Sequence, residues 1–450
     1  MTLSSRFISI CLVGATACSS SPNSEGSEGS SSSTGSSTGS STGTTIEDPT
    51  GSPDTTTSGV SDGGSDSTTG TTSTSTTEVS SGSTSTDASS SSGTTGADTD
   101  GGLPSTTFDE SLCTIFVDAT AGSDSNSGKS KEMARKTIGA AVDIVAPGDT
   151  VCVYPGTYGA FKNTVSGTED ARIHFVSVER WQAKVVDATV PLRNNGDYVD
   201  IDGFEVTTTA EAVGVGIANG DGQLASHCRI FNNHVYGIVA KTEGGSGGAG
   251  ILSAGWVSKM PYQGTDVEIF NNVVHDIGND GVNAKFVQGI YISHPHAKIY
   301  NNIVYNVSGW GIHGWHNANY VTVSNNLTSN TNGIVMGNGD SPCDEITCEF
   351  TDYFVTNNIL YDDRVGIQLY DGPNHTIANN DFYLTDPSGD NAMTDDPLLV
   401  DYALDISADF HLAAGSPMID AGSAEFAPAL DFDGKARPQG DAPDVGPFEH

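Results

Sequence analysis

From residue 113 to the C-terminus, apolar and polar positions alternate in short runs, as in Gly289-Ile290-Tyr291-Ile292-Ser293 and Ala297-Lys298-Ile299-Tyr300-Asn301. A period of two predicts strands with one face buried and one exposed. The runs repeat. An [Ile/Val]-x-Asn-Asn motif stands at Ile230–Asn233, Ile269–Asn272, Ile299–Asn302, Val323–Asn326, Val355–Asn358 and Ile377–Asn380. A Gly-Ile pair alternates with it, at Gly216, Gly250, Gly289, Gly311, Gly333 and Gly366. Two successive Gly-Ile intervals are 22 residues, and the intervals of 33 to 39 read as the same unit with loops inserted. A 22-residue unit of short strands predicts one coil of a parallel β-solenoid; helical repeats need about 33 residues or more. Coils of this kind stack about 4.8 Å apart. Ile and Val then form inward ladders, and the asparagines occupy equivalent corners where their amides bond the next coil. That structural duty leaves them no catalytic one. An amphipathic helix over Ala134–Val145, stopped by Pro147-Gly148, is expected to plug the first coil.

The ends of the repeat carry further motifs. The opening reads Phe116-Val117-Asp118, Ala121–Gly128, Lys136-Thr137-Ile138, Pro147–Val151 and Pro155-Gly156-Thr157-Tyr158. The close reads Gly415–Gly422, Asp431–Pro438 and Asp444–Glu449. These stretches resemble the bacterial right-handed parallel β-helix repeat family, the pectate-lyase-like superfamily. The resemblance covers most of residues 113–450. It implies an all-β, right-handed parallel β-helix over 106–450, with the capping helix at 134–145 and a segment at 415–450 closing the last coil.

Upstream, the pattern vanishes. Residues 1–18 carry Arg6, an apolar run over Phe7–Ala17, and then Ala15-Thr16-Ala17-Cys18. The run is too short to span a bilayer and suits a signal peptide. Small residues before a Cys resemble a lipobox with lipidation at Cys18, although Ala15 stands where Leu is usual; ordinary cleavage after Ala17 is the alternative. Residues 19–105 are nearly all Ser, Thr, Gly and Asp, with too little apolar surface for a core. They read as a disordered tether with a mean reach of about 50 Å. The expected location is therefore outside the cell, lipid-anchored at the bacterial surface or outer membrane.

Charge narrows the partners. The chain carries 18 Lys+Arg against 56 Asp+Glu, a formal net of −38. Phosphate backbones would be repelled, so nucleic acid is excluded as a partner. Nothing after residue 18 approaches a membrane-spanning length, which excludes integral channels and transporters. A monomer is expected, touching the membrane only through the lipid. Export permits disulfides. Cys343 and Cys348 flank a short acidic loop, Cys113 and Cys152 sit on early strands, and Cys228 is left over.

Aligning the Gly-Ile units brings polar and aromatic residues of the middle coils to one outward surface: Tyr291, His294, His313, Trp315, His316, Asn338, Gln368, Tyr370 and Asp371. Aromatic rings beside hydrogen-bonding groups suit a sugar-binding groove. His294, His313 and His316 are the candidate proton-transfer groups; as a transition-metal site they lack a carboxylate close in sequence. The stripes Tyr236, His275, Tyr305, Tyr361, Tyr383 and Phe231, Phe270, Tyr300 read as structural stacking. Members of the superfamily use a Lys or Arg base helped by calcium on acids. The resemblance thus implies Lys285, or Lys259, as base and Asp280 as a calcium ligand, without the pectate-lyase signatures themselves. Asp371 with Asp340 or Asp362 is the carboxylate pair to inspect for hydrolysis.

Two functions fit. One is a surface-tethered protein that binds and processes polysaccharide, as a lyase or hydrolase, along the Tyr291–Asp371 face. The other is a non-catalytic glycan-binding or adhesion protein using the same groove. No cofactor is certain; calcium is the one candidate.

Overall fold

The computed structural model describes residues 107–209, 214–220, 224–239, 247–254, 264–278, 286–316, 318–337, 351–370 and 372–450. The leader and tether lie outside these residues. The described chain is a right-handed parallel β-helix built of three stacked sheets with ten, nine and eight strands. In each central coil the chain visits them in turn. Arg229–Phe231 lies in the first sheet, His234–Ile238 in the second and Gly248–Ser253 in the third.

The inward ladders follow the repeat. In the first sheet Ile201, Ile230, Ile269, Ile299, Val323, Val355 and Ile377 pair in register. Ile217, Ile251, Ile290, Ile312, Ile334 and Ile367 do so in the third. All but Ile377 and Ile367 are fully buried, each worth about 1.5–3 kcal/mol of transfer free energy. The glycines of the Gly-Ile pairs are required by packing. A Cβ at Gly250 or Gly289 would overlap the second-sheet valine inside the coil, Val274 or Val304, and crowd the next coil's glycine carbonyl.

The Asn-Asn pairs divide their labour. The first Asn of each pair turns the chain between the first and second sheets at φ between +53° and +59°, a region Asn tolerates better than most residues. The second points inward. The backbone N–H and Nδ2 of Asn233, Asn272, Asn302, Asn326 and Asn358 each donate to the Oδ1 of the Asn one coil on, at 2.9–3.1 Å. Nδ2 also reaches back to a carbonyl of the preceding coil, as from Asn302 to Ile269 at 2.9 Å.

Two end segments differ from expectation. The capping helix covers only Ile138–Val142 rather than 134–145. Arg135 is held extended beside the first strand by Arg135 N–H to Phe116 O and Asp118 N–H to Arg135 O, both 2.8 Å. Thr137 then caps the helix, its Oγ1 accepting from Ala140 N–H at 3.2 Å. Ile138 and Ala141 join the core. The C-terminal segment does not simply close the last coil; it runs back along the second sheet as a strap. The outward row Val273, Ile303, Leu327 and Ile359 is apolar and must be covered, and Phe410, Leu412, Met418, Phe432 and Phe448 cover it. The outer asparagines tie the strap down: Nδ2 of Asn301 donates to Leu430 O (2.9 Å), Asn325 to Asp444 O (3.0 Å) and Asn357 to Ser423 O (2.8 Å).

Cys113 and Cys152 are disulfide-bonded. Cys343 and Cys348 lie outside the described residues. Cys228 is a buried free thiol in contact with Asn194 Nδ2.

Candidate functional site

The outward side of the third sheet carries one continuous row: Lys162, Arg193, Ala218, Leu252, Tyr291, His313, Val335 and Gln368. Its first half is cationic and then apolar. Its second half is aromatic and polar. Two residues further along each strand, the same side bears Ala254, Ser293, Trp315, Gly337 and Tyr370. Near the strand starts, Gln288 pairs with Trp310.

His313 is the centre of this face. Tyr291 meets its ring edge-on at 5.3 Å, Trp315 at 5.4 Å, and Trp310 lies 6.4 Å away. Both ring nitrogens are shut off from solvent and neither has a hydrogen-bond partner. Burial, with a smaller contribution from nearby His316, pushes its pKa down to about 3. The imidazole is therefore neutral at physiological pH and offers one N–H and one lone pair. Two more orphans share the face. Gln288 and Ser293 are each 1% exposed, and Gln288 Oε1 and Ser293 Oγ have no partner. Buried polar atoms are almost always satisfied, and those without a protein partner mark strain, a functional role, or a bound water or ion.

Trp315 lies against the backbone of Gly337, where a Cβ would overlap its ring and approach Tyr370 Cδ2 at 2.8 Å. Tyr370 is exposed and stands edge-on to Trp315 at 5.0 Å. Gln368 is half-buried beside it in the row. These rings and the His313 group form one contiguous surface, as the alignment of Gly-Ile units anticipates.

Other expected members fall elsewhere. His294 is fully buried and belongs to the interior. It ends a second polar ladder in which Asn163 Nδ2 donates to Asn194 Oδ1 and Asn194 Nδ2 to Asn219 Oδ1, both at 2.8 Å, Asn219 Nδ2 donates to Ser253 Oγ at 3.0 Å, and Ser253 Oγ meets His294 Nδ1 at 3.1 Å. Its Nε2 lies 2.8 Å from Leu224 O. Both nitrogens are engaged and burial lowers its pKa, so it is a structural group and not a surface acid or base. Tyr291 is 7% exposed, packs against Leu252 and stands edge-on to His313, so it is a packing neighbour of His313 rather than an exposed binding ring. His316 is 8% exposed, in a turn at φ +59° after the Trp310–Gly314 strand. Lys285, Lys259, Asp280, Asn338, Asp340 and Asp371 lie outside the described residues. Asp362 sits in the turn after Tyr361, on the second sheet.

Gln288, Ser293 and Trp310 were not singled out as site residues by sequence reasoning. The Gly-Ile alignment holds the signal for Gln288 and Trp310, one position before the glycine, where other coils place Val215 and Ala249. The stacked stripe Phe231, Phe270 and Tyr300 is unsuited to sugars. The rings lie 4.8 Å apart and within 4° of parallel, so each covers its neighbour's face.

A calcium ion here would need ligands from outside the strands, and Asp280, the expected one, lies outside the described residues. No Asp or Glu stands in any strand of the third sheet, and calcium sites are built of oxygen ligands with carboxylates among them. Among the described residues generally, no group of three or more His, Cys, Asp or Glu is placed to hold a metal.

No family model matches the chain, and no curated protein matches it. Solved structures do. Pectate lyase Pel9A is 16% identical, with a TM-score of 0.45 over 79% of this chain and 100% of its own. XylC, solved with xylose, is 13% identical with a TM-score of 0.45, over 60% and 65%. A GH136 lacto-N-biosidase from Eubacterium ramulus is 12% identical with a TM-score of 0.41, over 62% and 66%.

Proposed function

We propose that this chain holds a polysaccharide against the outward face of its third sheet, around His313. One observation carries the reading: three side chains there, Gln288, Ser293 and His313, hold buried polar atoms without a protein partner, beside Tyr291, Trp310 and Trp315. Sugars supply many hydroxyls and apolar ring faces, which such a surface can satisfy. Export, lipidation at Cys18 and display at the cell surface on the 19–105 tether belong to the same proposal, which rests for them on the sequence.

Binding is favoured over turnover as the role of His313 itself. An imidazole with a pKa near 3 is a weak proton acceptor at neutral pH. Lyase or hydrolase chemistry on a bound chain would need another group, for which Lys285 is the expectation. The test is a panel of polysaccharides offered to the purified full chain with and without calcium. Binding, new reducing ends and unsaturated-uronate absorbance are read together. Binding without product supports a glycan-binding protein, product identifies an enzyme, and silence across the panel contradicts the proposal.

A further inference from the structure

Resting on that reading, we infer that the sugar lodged at His313 is uncharged: a neutral or N-acetylated residue rather than a uronate. The burial of these polar atoms, with no charge beside them in the described strands, decides this. Gln288 Oε1 can only accept. Neutral His313 needs one donor and one acceptor, and Ser293 takes either. A hydroxyl or an amide N–H satisfies the Gln288 oxygen. A carboxylate has only lone pairs to offer, so it could meet only the His313 N–H or the Ser293 hydroxyl, and its charge would be desolvated there with no counter-ion beside it in the described strands.

Compensation for a carboxylate is also missing from the described face. The cationic residues in the third-sheet strands are Lys162 and Arg193. Arg193 is four strands from His313 in the row, about 19 Å at the spacing of stacked strands. That exceeds a Debye length of about 8 Å at physiological salt. A calcium bridge would need protein carboxylates, and these strands have none. Burial keeps the imidazole itself uncharged, so His313 supplies direction without charge.

The experiment is calorimetric titration of the full chain with hexasaccharides of matched length. Xylo-, manno-, cello- and chito-oligosaccharides are set against oligogalacturonate and oligomannuronate, each with and without calcium. His313→Phe and Gln288→Met, which keep the shape of the pocket, are run alongside, with circular dichroism to confirm folding. The expected result is that a neutral oligosaccharide binds at least tenfold more tightly than either uronate. That affinity should be insensitive to salt and calcium, and each variant should reduce it about tenfold or more. A uronate bound as tightly or more tightly, and weakened by His313→Phe, overturns the inference while leaving the face in place. Binding that neither folded variant changes, or no binding at all, overturns the reading of the face and the inference with it.

Discussion

Ser253 Oγ and His294 Nδ1 lie 3.1 Å apart in the interior, both fully buried, so a histidine that the repeat places beside the candidate site is the last rung of a polar ladder. His294→Ala removes that rung and leaves Ser253 and Leu224 O short of a partner. The expected loss is about 1–3 kcal/mol of stability, read as a lower urea midpoint with glycan binding unchanged at temperatures where the variant is folded. Lost binding with unchanged stability would return His294 to the site.

The pH dependence of stability has a defined sign at three groups. Burial pushes His313 and His234 down to about 3, against about 6.5 in an unfolded chain. Below pH 6.5 the unfolded state takes up protons that the folded state refuses. Each group therefore costs about 1.4 kcal/mol of stability per pH unit as pH falls toward 3. Asp381 acts oppositely. Its buried carboxyl has both oxygens unpartnered, and burial, with Asp395 and Asp396 nearby, pushes its pKa up to about 7. The folded state keeps a proton that the unfolded state releases above about 3.9, so stability falls as pH rises toward 7. Urea midpoints from pH 4 to 8 should show His313→Phe losing less stability in acid than the parent and Asp381→Asn losing less on the alkaline side. Parallel curves for variant and parent would contradict both assignments.

Neighbouring asparagines should fail differently. Asn326→Ala cuts the interior ladder: the backbone N–H and Nδ2 of Asn302 lose their shared acceptor, and Asn358 Oδ1 loses one of its two donors, which should lower global stability by about 2 kcal/mol or more. Asn325→Gly keeps the left-handed turn but removes the amide that holds Asp444 O and Gly446 O. Its expected effect is faster amide exchange confined to the strap around 440–450. Equal, global effects from both variants would contradict the division of labour.

The repeat was legible because period-two alternation and Gly-Ile spacing report burial directly, and the third-sheet row of Tyr291, His313 and Gln368 follows from it. What sequence could not give was the direction of residues at the corners. His294 and His316 align in the repeat, yet the Ser253 ladder draws His294 inward. The strap was missed because its partners are the outer asparagines Asn301, Asn325 and Asn357 and the apolar row Val273–Ile359, more than 50 residues away in sequence from the segments they hold. Orphaned atoms such as Gln288 Oε1 become visible only once every neighbour is placed.

Gly337→Ala tests the aromatic part of the face without touching a polar group. The new methyl would displace Trp315 and crowd Tyr370, so the near-ultraviolet circular dichroism should change and glycan affinity should fall about tenfold. Stability should drop by about 1–3 kcal/mol. Unchanged affinity with a displaced Trp315 would remove the ring from the binding surface.

The central claim is that the third-sheet face is the binding site, and a crystal structure with a bound oligosaccharide tests it most directly. The account predicts a sugar with its hydroxyls within hydrogen-bond distance of His313 and Gln288 Oε1, and a ring against Trp315 or Tyr370. A sugar seated on the first or second sheet, with the His313 nitrogens still bare, would contradict it.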